Sequence, residues 1–262
     1  MDLSIIIPVY NSEKIISTLV KKIFEITKLK KLKSEIILID DFSKDNSWTK
    51  IKNLKKKYKF IKGVNLQSNY GQHNAIMAGL NFSKGKFCVL MDDDMQHDPK
   101  YIIDIYHKLR EGYSICYVKY LKRKHLKWKI FVSWLNNIIA SVLALKSVKI
   151  YTSSFKGFNK KILKGVIKYK EKEVFIDWLI LEQSKDVAVI NVIHQKRHSG
   201  KTNYDLKKLL ELWSIMIMKI KPRSIIHNIW LILPQIFVKF LLYPIVKKNN
   251  ISEQYKIKEK IF

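Results

Sequence analysis

Apolar, β-branched runs alternate with amphipathic helical stretches through the first part of this 262-residue chain. Four runs predict strands, at residues 5–9, 35–39, 63–66 and 87–91, and the stretches between them predict helices at 13–26, 45–57 and 72–81. Strands that alternate with helices are typical of a parallel sheet covered by crossover helices. The pattern therefore predicts the α/β fold class.

Polar residues follow three of these predicted strands. Tyr10-Asn11 follows the first, Asp40-Asp41 ends the second, and the acids 92–94 follow the fourth. Ligands of open α/β sheets bind beyond the carboxyl ends of the strands. We therefore expect the three strand ends to share one cleft of nucleotide size.

Three consecutive acids, Asp92, Asp93 and Asp94, end an apolar run in an otherwise basic chain. Adjacent carboxylates repel one another unless a cation lies among them, and oxygen ligands suit Mg²⁺ or Mn²⁺, which also bind phosphate oxygens. The alternative is that the acids only cap the next helix. Asp98-Pro99 already supplies a cap and a first-turn proline for that helix, so a metal-bound diphosphate is the favoured hypothesis.

The charge balance predicts a polyanionic partner. Lys and Arg total 50 against 22 Asp and Glu, which leaves a formal charge of +28. Nucleic acid, an anionic membrane surface and phosphorylated substrates are the candidate partners. The sequence starts directly with a strand pattern and shows no basic leader with an apolar core, so we expect the protein to face the cytosol.

The last part of the sequence changes character. Residues 225–246 are mostly apolar and long enough to span a bilayer, but they contain Lys239 and two prolines, Pro234 and Pro244. These interruptions favour amphipathic helices that lie in the membrane interface, or a broken re-entrant hairpin, with Trp230 and Tyr243 at headgroup level. We therefore expect peripheral or monotopic membrane association, followed by a basic, solvated or membrane-bound tail at 247–262.

Four segments together resemble one known family: residues 7–11 (IPVYN), 39–43 (IDDFS), 69–79 (NYGQHNAIMAG) and 91–96 (MDDDMQ). In this order and spacing they are similar to inverting glycosyltransferase family 2, which has the GT-A fold, a Rossmann-like nucleotide-binding mixed sheet flanked by helices. Within it, the chain looks most like the polyprenyl-phosphate glycosyltransferases. The resemblance implies a GT-A catalytic domain at 1–205, followed by juxtamembrane helices and a basic tail at 206–262.

The resemblance also implies roles for individual residues. The nucleotide-sugar would be bound by residues at the strand ends and at the start of the third helix: Pro8, Tyr10, Asn11, Asp40, Asp41, Gly71, Gln72, Asp92 and Asp93. The Mg²⁺ or Mn²⁺ ion would be held by Asp92, Asp94 and Gln96. The acceptor phosphate would meet Lys129, Ser133, Lys156, Arg197 and Lys201, with Asp94 and Arg197 counted as catalytic. His97, beside the metal motif, is either a neighbour of its carboxylates or a structural residue.

Two features depart from the pattern of the resembled family. Ile150 occupies a position where many members have an aspartate, and Asp177 is the candidate to replace that acid as a base, although a helix cap or surface acid explains it equally well. The end of the chain is also too short for two clear spanning helices. Self-association or a membrane partner subunit is therefore a further expectation.

Three functions remain open from the sequence. A polyprenyl phosphate is the favoured acceptor, because it is already largely ionised at neutral pH and needs no strong base. A hydroxyl of a lipid-linked glycan is the alternative acceptor, and it would need a base such as Asp177. A nucleic-acid-binding protein is a distant third, because acids at the strand ends would repel a phosphate backbone; we therefore expect no nucleic-acid partner.

Overall fold

The structure is a computed structural model that describes residues 1–120, 153–192 and 253–262, together with Val238. The chain divides into two compact units. The first comprises Met1–Arg123, Thr152–Gly200 and Ser252–Phe262, and it contains every described residue except Val238. The second comprises Lys124–Tyr151 and Lys201–Ile251.

Strands and helices alternate from the start of the chain, as predicted. The strands are β1 (Leu3–Val9), β2 (Ser34–Asp40), β3 (Ile61–Leu66), β4 (Phe87–Leu90), β5 (Ile115–Tyr120), β6 (Lys156–Asn159), β7 (Val187–Val192) and β8 (Ile257–Ile261). The described helices are α1 (Ile16–Leu29), α2 (Ser47–Lys57), α3 (Gln72–Leu80), α4 (Tyr101–Arg110), α5 (Lys160–Val166) and α6 (Ile176–Gln183). The predicted elements before residue 92 are all present, with ends displaced by up to three residues.

One mixed sheet joins all eight described strands in the order β7-β5-β6-β4-β1-β2-β3-β8. β1 runs parallel to β2 and β4, and β2 runs parallel to β3. β6 is antiparallel to both β4 and β5, and β8 is antiparallel to β3. The predicted α/β class is confirmed, and the helices flank a mixed rather than a purely parallel sheet.

The central strands are apolar because both of their faces are covered. All seven residues of β1 are buried, as are six of the seven in β2, which is typical of parallel strands between helices. Helix α1 buries one stripe of its surface, formed by Ile16, Leu19, Val20, Ile23 and Thr27. This spacing of three and four residues places the stripe on one face against the core.

The end of the chain differs from its prediction as a solvated or membrane-bound tail. Ile257–Ile261 form strand β8, paired with β3 over Gly63–Leu66. Three of the five β8 side chains are exposed and charged, so the segment reads as a polar tail, whereas its place in the sheet is set by backbone pairing with β3. Juxtamembrane helices and a basic tail are predicted for 206–262. Residues 206–252 of this segment lie outside the described residues apart from Val238, and the boundary at residue 205 stays a prediction. Among the described residues, no helix combines the length and apolar character needed to cross a membrane.

Candidate functional site

The carboxyl ends of β4, β1 and β2 lie side by side at one edge of the sheet, because these strands are parallel neighbours. The loop after β1 contacts both of the others. The backbone N–H of Tyr10 donates to Asp93 Oδ2 at 3.2 Å, and that of Asn11 donates to Ser43 Oγ at 3.0 Å. The three polar strand ends therefore meet as expected, and the cleft of nucleotide size between them stays a prediction.

Asp93 is anchored to the loop after β1. Besides the Tyr10 amide, its Oδ2 accepts a hydrogen bond from Ser12 Oγ at 2.5 Å. Burial raises the pKa of Asp93 to about 7, and the charges of Asp92 and Asp94 add to the rise, while the two hydrogen bonds oppose it. Ser12 has no signal in the sequence that would assign it to this site, because its partner lies 81 residues away.

Asp92 is held from two sides. Gln72 Nε2, at the start of α3, donates to Asp92 Oδ1 at 2.5 Å. His97 Nε2 lies 3.2 Å from Asp92 Oδ2 and 3.1 Å from Ser154 Oγ. Burial raises the pKa of Asp92, but hydrogen bonds and charge from His97, with Ser154 and Lys156, outweigh it, so the net shift is downward and favours the ionised carboxylate. His97 is thus a neighbour of the acidic motif, one of the two roles expected for it.

Asp94 is buried, and its Oδ1 accepts a hydrogen bond from the Gln96 backbone N–H at 3.0 Å. Met95 between them has φ 56°, a left-handed turn that returns the chain toward the acids. The described residues contain no group of three or more His, Cys, Asp or Glu side chains arranged to hold a metal ion. The chemistry of the donors nevertheless fits Mg²⁺ or Mn²⁺, because Asp92, Asp94 and Gln96 offer only oxygen ligands and the mutual repulsion of the acids would be relieved by a cation.

Asp41 supports the start of α3. Its Oδ1 accepts from the Tyr70 N–H at 2.8 Å and its Oδ2 from the Gly71 N–H at 2.9 Å. Gly71 has φ 87°, a conformation that glycine adopts without strain, and Gln72 follows it as the first residue of the helix. Asp41 therefore holds the turn that delivers Gln72 to Asp92.

Asp40 offers a buried acceptor at the end of β2. Its Oδ2 accepts from the Ser43 N–H at 3.3 Å, whereas its Oδ1 is buried and has no hydrogen-bond partner among the described residues. Burial raises the pKa of Asp40. A buried carboxylate oxygen without a donor is costly, so this atom is suited to receive an N–H group from a ligand.

The other residues predicted for the nucleotide have different environments. Tyr10 is exposed, and Asn11 has φ 55° while its Oδ1 accepts from the Lys44 N–H at 2.7 Å, which ties the loops after β1 and β2 together. Pro8 is buried within β1, one residue from its end. Pro8 therefore shapes the strand end from inside the sheet.

Lys156 and Asp177, predicted for the acceptor phosphate and for a base, form a buried ion pair with each other. Lys156 Nζ donates to Asp177 Oδ1 at 2.5 Å, and the Tyr117 hydroxyl donates to the same oxygen at 2.8 Å. Burial raises the pKa of Tyr117 well above its usual value, and the charge of Asp177 adds to the rise. This arrangement does not support a contact of Lys156 with an acceptor phosphate, and it engages Oδ1, one of the two carboxylate oxygens of Asp177.

His73 lies next to this pair. Its Nδ1 accepts from the Ile176 N–H at 3.5 Å, and its ring packs edge-on against Phe175. Burial lowers the pKa of His73 to about 4. The charge of Lys156 adds to this lowering, whereas the charges of Asp177 and Asp92 oppose it. His73 is therefore neutral at pH 7 and joins α3 to the start of α6.

The remaining predicted acceptor residues are Lys129, Ser133, Arg197 and Lys201. All four lie outside the described residues. The two cysteines, which no predicted function uses, are free and buried. Of the residues predicted for the acceptor phosphate, only Lys156 therefore lies in the described part of the chain.

Acids clustered beyond the carboxyl ends of parallel strands place this chain in the class of α/β proteins whose ligands bind at that edge of the sheet. Residues 4–167 match the family model described as Glycosyl transferase family 2. The chain therefore belongs to glycosyl transferase family 2.

Several curated proteins are similar in sequence. The undecaprenyl-phosphate 4-deoxy-4-formamido-L-arabinose transferase of Yersinia pestis is 31% identical over 212 residues, which cover 80% of this chain and 64% of that protein. The protein of the same name from Proteus mirabilis is 28% identical with the same coverage. An uncharacterized glycosyltransferase of Bacillus subtilis is 27% identical over 80% of this chain and 65% of its own length. The match thus covers less than two thirds of the length of these relatives.

Solved structures share the fold. S. aureus TarS residues 1–349 with UDP-GlcNAc gives a TM-score of 0.55 at 18% identity, covering 90% of this chain and 73% of that one. Glucosyl-3-phosphoglycerate synthase from Mycobacterium tuberculosis, solved with Mn²⁺, UDP-glucose and glycerol 3-phosphate, gives 0.59 at 17% identity, covering 83% and 78%. At these identities the likeness establishes the GT-A-like architecture of the sheet.

Proposed function

We propose that this chain is an inverting, metal-dependent glycosyltransferase that moves a sugar from a nucleotide-diphosphate sugar to a polyprenyl phosphate such as undecaprenyl phosphate, at the cytoplasmic face of the membrane. The observation that carries the proposal is the cluster of three acids at the carboxyl end of β4, in contact with the ends of β1 and α3. Membership of the family and the names of the similar transferases support the same reaction.

The nucleoside half of the donor is assigned to the ends of β1 and β2. Asp40 Oδ1, buried and without a donor among the described residues, would accept an N–H of the base. Tyr10 is exposed beside it and offers a ring for stacking. Asn11, Asp41 and Gly71 hold the surrounding loops in place.

The diphosphate half is assigned to the acidic motif. Asp92, Asp94 and Gln96 would hold Mg²⁺ or Mn²⁺, and the bound ion would neutralise the charge that develops on the departing nucleotide diphosphate. Gln72 and His97 fix the orientation of the Asp92 carboxylate from opposite sides. Asp93 anchors the same loop to Tyr10 and Ser12. This contact would hold the residues assigned to the nucleoside and those assigned to the diphosphate in a fixed arrangement.

The acceptor phosphate needs binding and orientation more than deprotonation. A phosphate monoester has a second pKa near about 6, so it is largely dianionic at neutral pH and is itself the nucleophile. Arg197 suits a bidentate phosphate contact, and Lys129, Ser133 and Lys201 would add to it. Lys156 is not assigned to the acceptor phosphate, because its ammonium group is buried and forms an ion pair with Asp177.

The two strands on either side of residues 193–256 limit how that part of the chain can meet a membrane. β7 ends at Val192 and β8 begins at Ile257, and both strands belong to one sheet. The chain between them starts and finishes on the same side of any membrane, so a single isolated crossing by residues 225–246 is incompatible with this sheet. The +28 charge would attract an anionic leaflet, at about 1 kcal/mol for each lysine near its surface.

The alternative acceptor, a hydroxyl of a lipid-linked glycan, requires a general base. Asp177 is the candidate, but its Oδ1 already accepts from Lys156 and Tyr117. This observation favours the phosphate acceptor. The similar proteins reported above give no support to the nucleic-acid alternative. Self-association or a partner subunit remains a proposal from the sequence.

A transfer assay with purified full chain tests the proposal. The protein is incubated with Mn²⁺ or Mg²⁺, undecaprenyl phosphate and a panel of UDP-, GDP- and dTDP-sugars, and the lipids are extracted and analysed by mass spectrometry. We expect one donor to yield a sugar-phosphate lipid, with the opposite anomeric configuration to the donor by NMR, and no product in EDTA. Transfer only to a lipid-linked glycan, or to no lipid at all with every donor, would contradict the proposal.

A further inference from the structure

Residues 253–256, which directly precede β8, contact two loops that are far apart in sequence. The Gln67 N–H donates to the Lys256 backbone O at 2.9 Å. Gln254 Nε2 donates to the backbone O of Tyr169 at 3.2 Å and to that of Glu171 at 3.0 Å. One short segment thus joins the 67–71 loop to the 169–173 loop.

The 67–71 loop carries groups on which the candidate donor site depends. The N–H groups of Tyr70 and Gly71 bind the Asp41 carboxylate, and Gln72 follows immediately with its bond to Asp92. The Tyr70 phenol is influenced by the same segment: burial raises its pKa, the charge of Glu253 adds to the rise, and hydrogen bonding to Ser68 and to the Lys256 backbone opposes it. A displacement of Lys256 would therefore alter contacts at both ends of this loop, at Gln67 and at Tyr70.

The 169–173 loop leads into α6 on the other side. Phe175 packs on the His73 ring with centroids 5.2 Å apart, and the Ile176 N–H reaches His73 Nδ1. His73 is the neighbour of Gln72 in the first turn of α3. Both loops therefore converge on the residues that start α3, next to Asp92.

Strand β8 provides a fixed anchor for the segment. It pairs with β3 over Gly63–Leu66, and Trp48 Nε1 on α2 donates to Glu259 Oε2 at 2.8 Å. Phe262, just after the strand, packs on Phe82 with ring centroids 4.9 Å apart. The segment is thus held at the sheet on one side and reaches the two loops on the other.

We propose that Gln254 and Lys256 are positioning residues for nucleotide binding, which hold the 67–71 and 169–173 loops so that Gly71 and Gln72 keep their contacts with Asp41 and Asp92. Residues 253–256 would thus support a donor site built from residues near the start of the chain. The choice of nucleotide as ligand rests on the proposed function, whereas the support of the two loops does not.

The test uses the full chain with two substitutions, singly and combined. Gln254→Ala removes the bonds to the backbone of Tyr169 and Glu171, and Tyr70→Phe removes the hydroxyl that hydrogen-bonds to the Lys256 backbone. Hydrogen–deuterium exchange followed by mass spectrometry reports each loop, and calorimetry with UDP or GDP and Mn²⁺ reports the Kd. We expect faster exchange at residues 67–72 and 169–173 in the double variant, with β1 and β2 unchanged. Loss of these bonds should raise the Kd and the donor KM about three- to tenfold, with little change in kcat.

Lys258→Ala, an exposed side chain in β8, is the matched control and should behave as wild type. Exchange at both loops equal to wild type in the double variant would overturn the proposal, as would a uniform rise in exchange across β1 and β2, which would indicate a purely structural loss. If wild type binds neither nucleotide, the proposed donor is wrong, and the exchange result still decides whether the segment supports the loops.

Discussion

The three acids after β4 are held by different groups, and this distinguishes their roles. Asp93 is bound by Tyr10 and Ser12, Asp92 by Gln72 with His97 alongside, and Asp94 accepts from the Gln96 amide. Replacing one of these acids by the matching amide keeps an oxygen that can accept a hydrogen bond and removes the charge. Such a substitution therefore separates metal binding from folding.

Asp94→Asn should lower sugar transfer by at least about 100-fold while the fold is retained, because the amide oxygen still accepts from Gln96 but the charge that would bind the cation is lost. The measurement is the lipid-transfer assay together with a thermal unfolding curve. Asp104→Asn, at an exposed position of α4, is the matched control and should be neutral in both. Full activity of the Asp94 variant would reject the metal assignment.

The Lys156–Asp177 pair predicts a stability effect rather than a purely catalytic one. Asp177→Asn leaves the buried Lys156 ammonium without its counter-charge and should lower the free energy of unfolding by about 3 kcal/mol, measured by urea titration. Combining it with Lys156→Gln should recover much of that loss, because a neutral pair needs no charge compensation. Additive losses in the double variant would show that the two side chains do not act as a pair.

Activity of the same Asp177→Asn variant addresses the base. At a temperature where the variant is folded, transfer to undecaprenyl phosphate should be retained, since an ionised phosphate needs no base. A large loss in that assay, with the protein still folded, would reject the mechanism without a base and favour the hydroxyl acceptor.

Among the elements, the amino-terminal ends of β1, β2 and β3 enclose a second buried charge, at the edge opposite the candidate site. Glu35 of β2 accepts from Ser4 Oγ at 2.6 Å and from the Lys84 N–H, and Lys62 of β3 forms an ion pair with it at 2.7 Å. Burial raises the pKa of Glu35, but the bonds from Lys62, Ser4 and Lys84 outweigh it, so the net pKa is lowered from 4.5. This network ties three neighbouring strands to the loop before β4.

The lowered pKa predicts how stability depends on pH. The ionised Glu35 stabilises the fold above its unfolded pKa of 4.5, and this contribution is lost as the pH falls through the lower folded value. Glu35→Gln should therefore cost about 3 kcal/mol at pH 7, and the difference from wild type should shrink on acidification below pH 4.5. Urea unfolding at several pH values measures both quantities.

Glu25→Gln is the matched control for that variant. Glu25 is exposed on α1 and lies 3.9 Å from Lys21, so its loss should change stability by less than about 0.5 kcal/mol at any pH. An equal effect of the two variants would contradict the special role of the Glu35 network.

For the whole molecule, the return of the chain to the sheet predicts the membrane topology. Lys14 precedes α1 and Lys258 lies in β8; both are exposed, and the native cysteines are buried. Lys14→Cys and Lys258→Cys should both react with a membrane-impermeant maleimide in inside-out bacterial membrane vesicles, and neither should react in right-side-out vesicles. Wild type should remain unlabelled in both.

Labelling of the two introduced cysteines from opposite sides would contradict the topology, because β8 pairs with the sheet that contains β1. Labelling of both in right-side-out vesicles only would instead contradict the cytoplasmic orientation in the proposed function. The two outcomes therefore separate the chain path from the choice of membrane face.

Local patterns in the sequence determined the elements before residue 92 and the identity of the acidic strand end. Apolar runs such as 5–9 and 35–39 specify strands through their own burial, and the acids follow β4 directly in the chain, so neighbouring residues suffice for the prediction. Parallel pairing of β4, β1 and β2 then brings their ends together without further information.

Tertiary structure alone decided the contacts between distant residues. Ser12 meets Asp93, Lys156 meets Asp177, and the polar-looking residues 257–261 pair with β3, each through partners 21 to about 200 positions away. Such distant partners come within bonding distance only after the sheet has assembled, because hydrogen bonds and ion pairs depend on geometry within a few ångströms. For that reason Lys156 and Asp177, which the sequence presents as free to meet a substrate, bind each other.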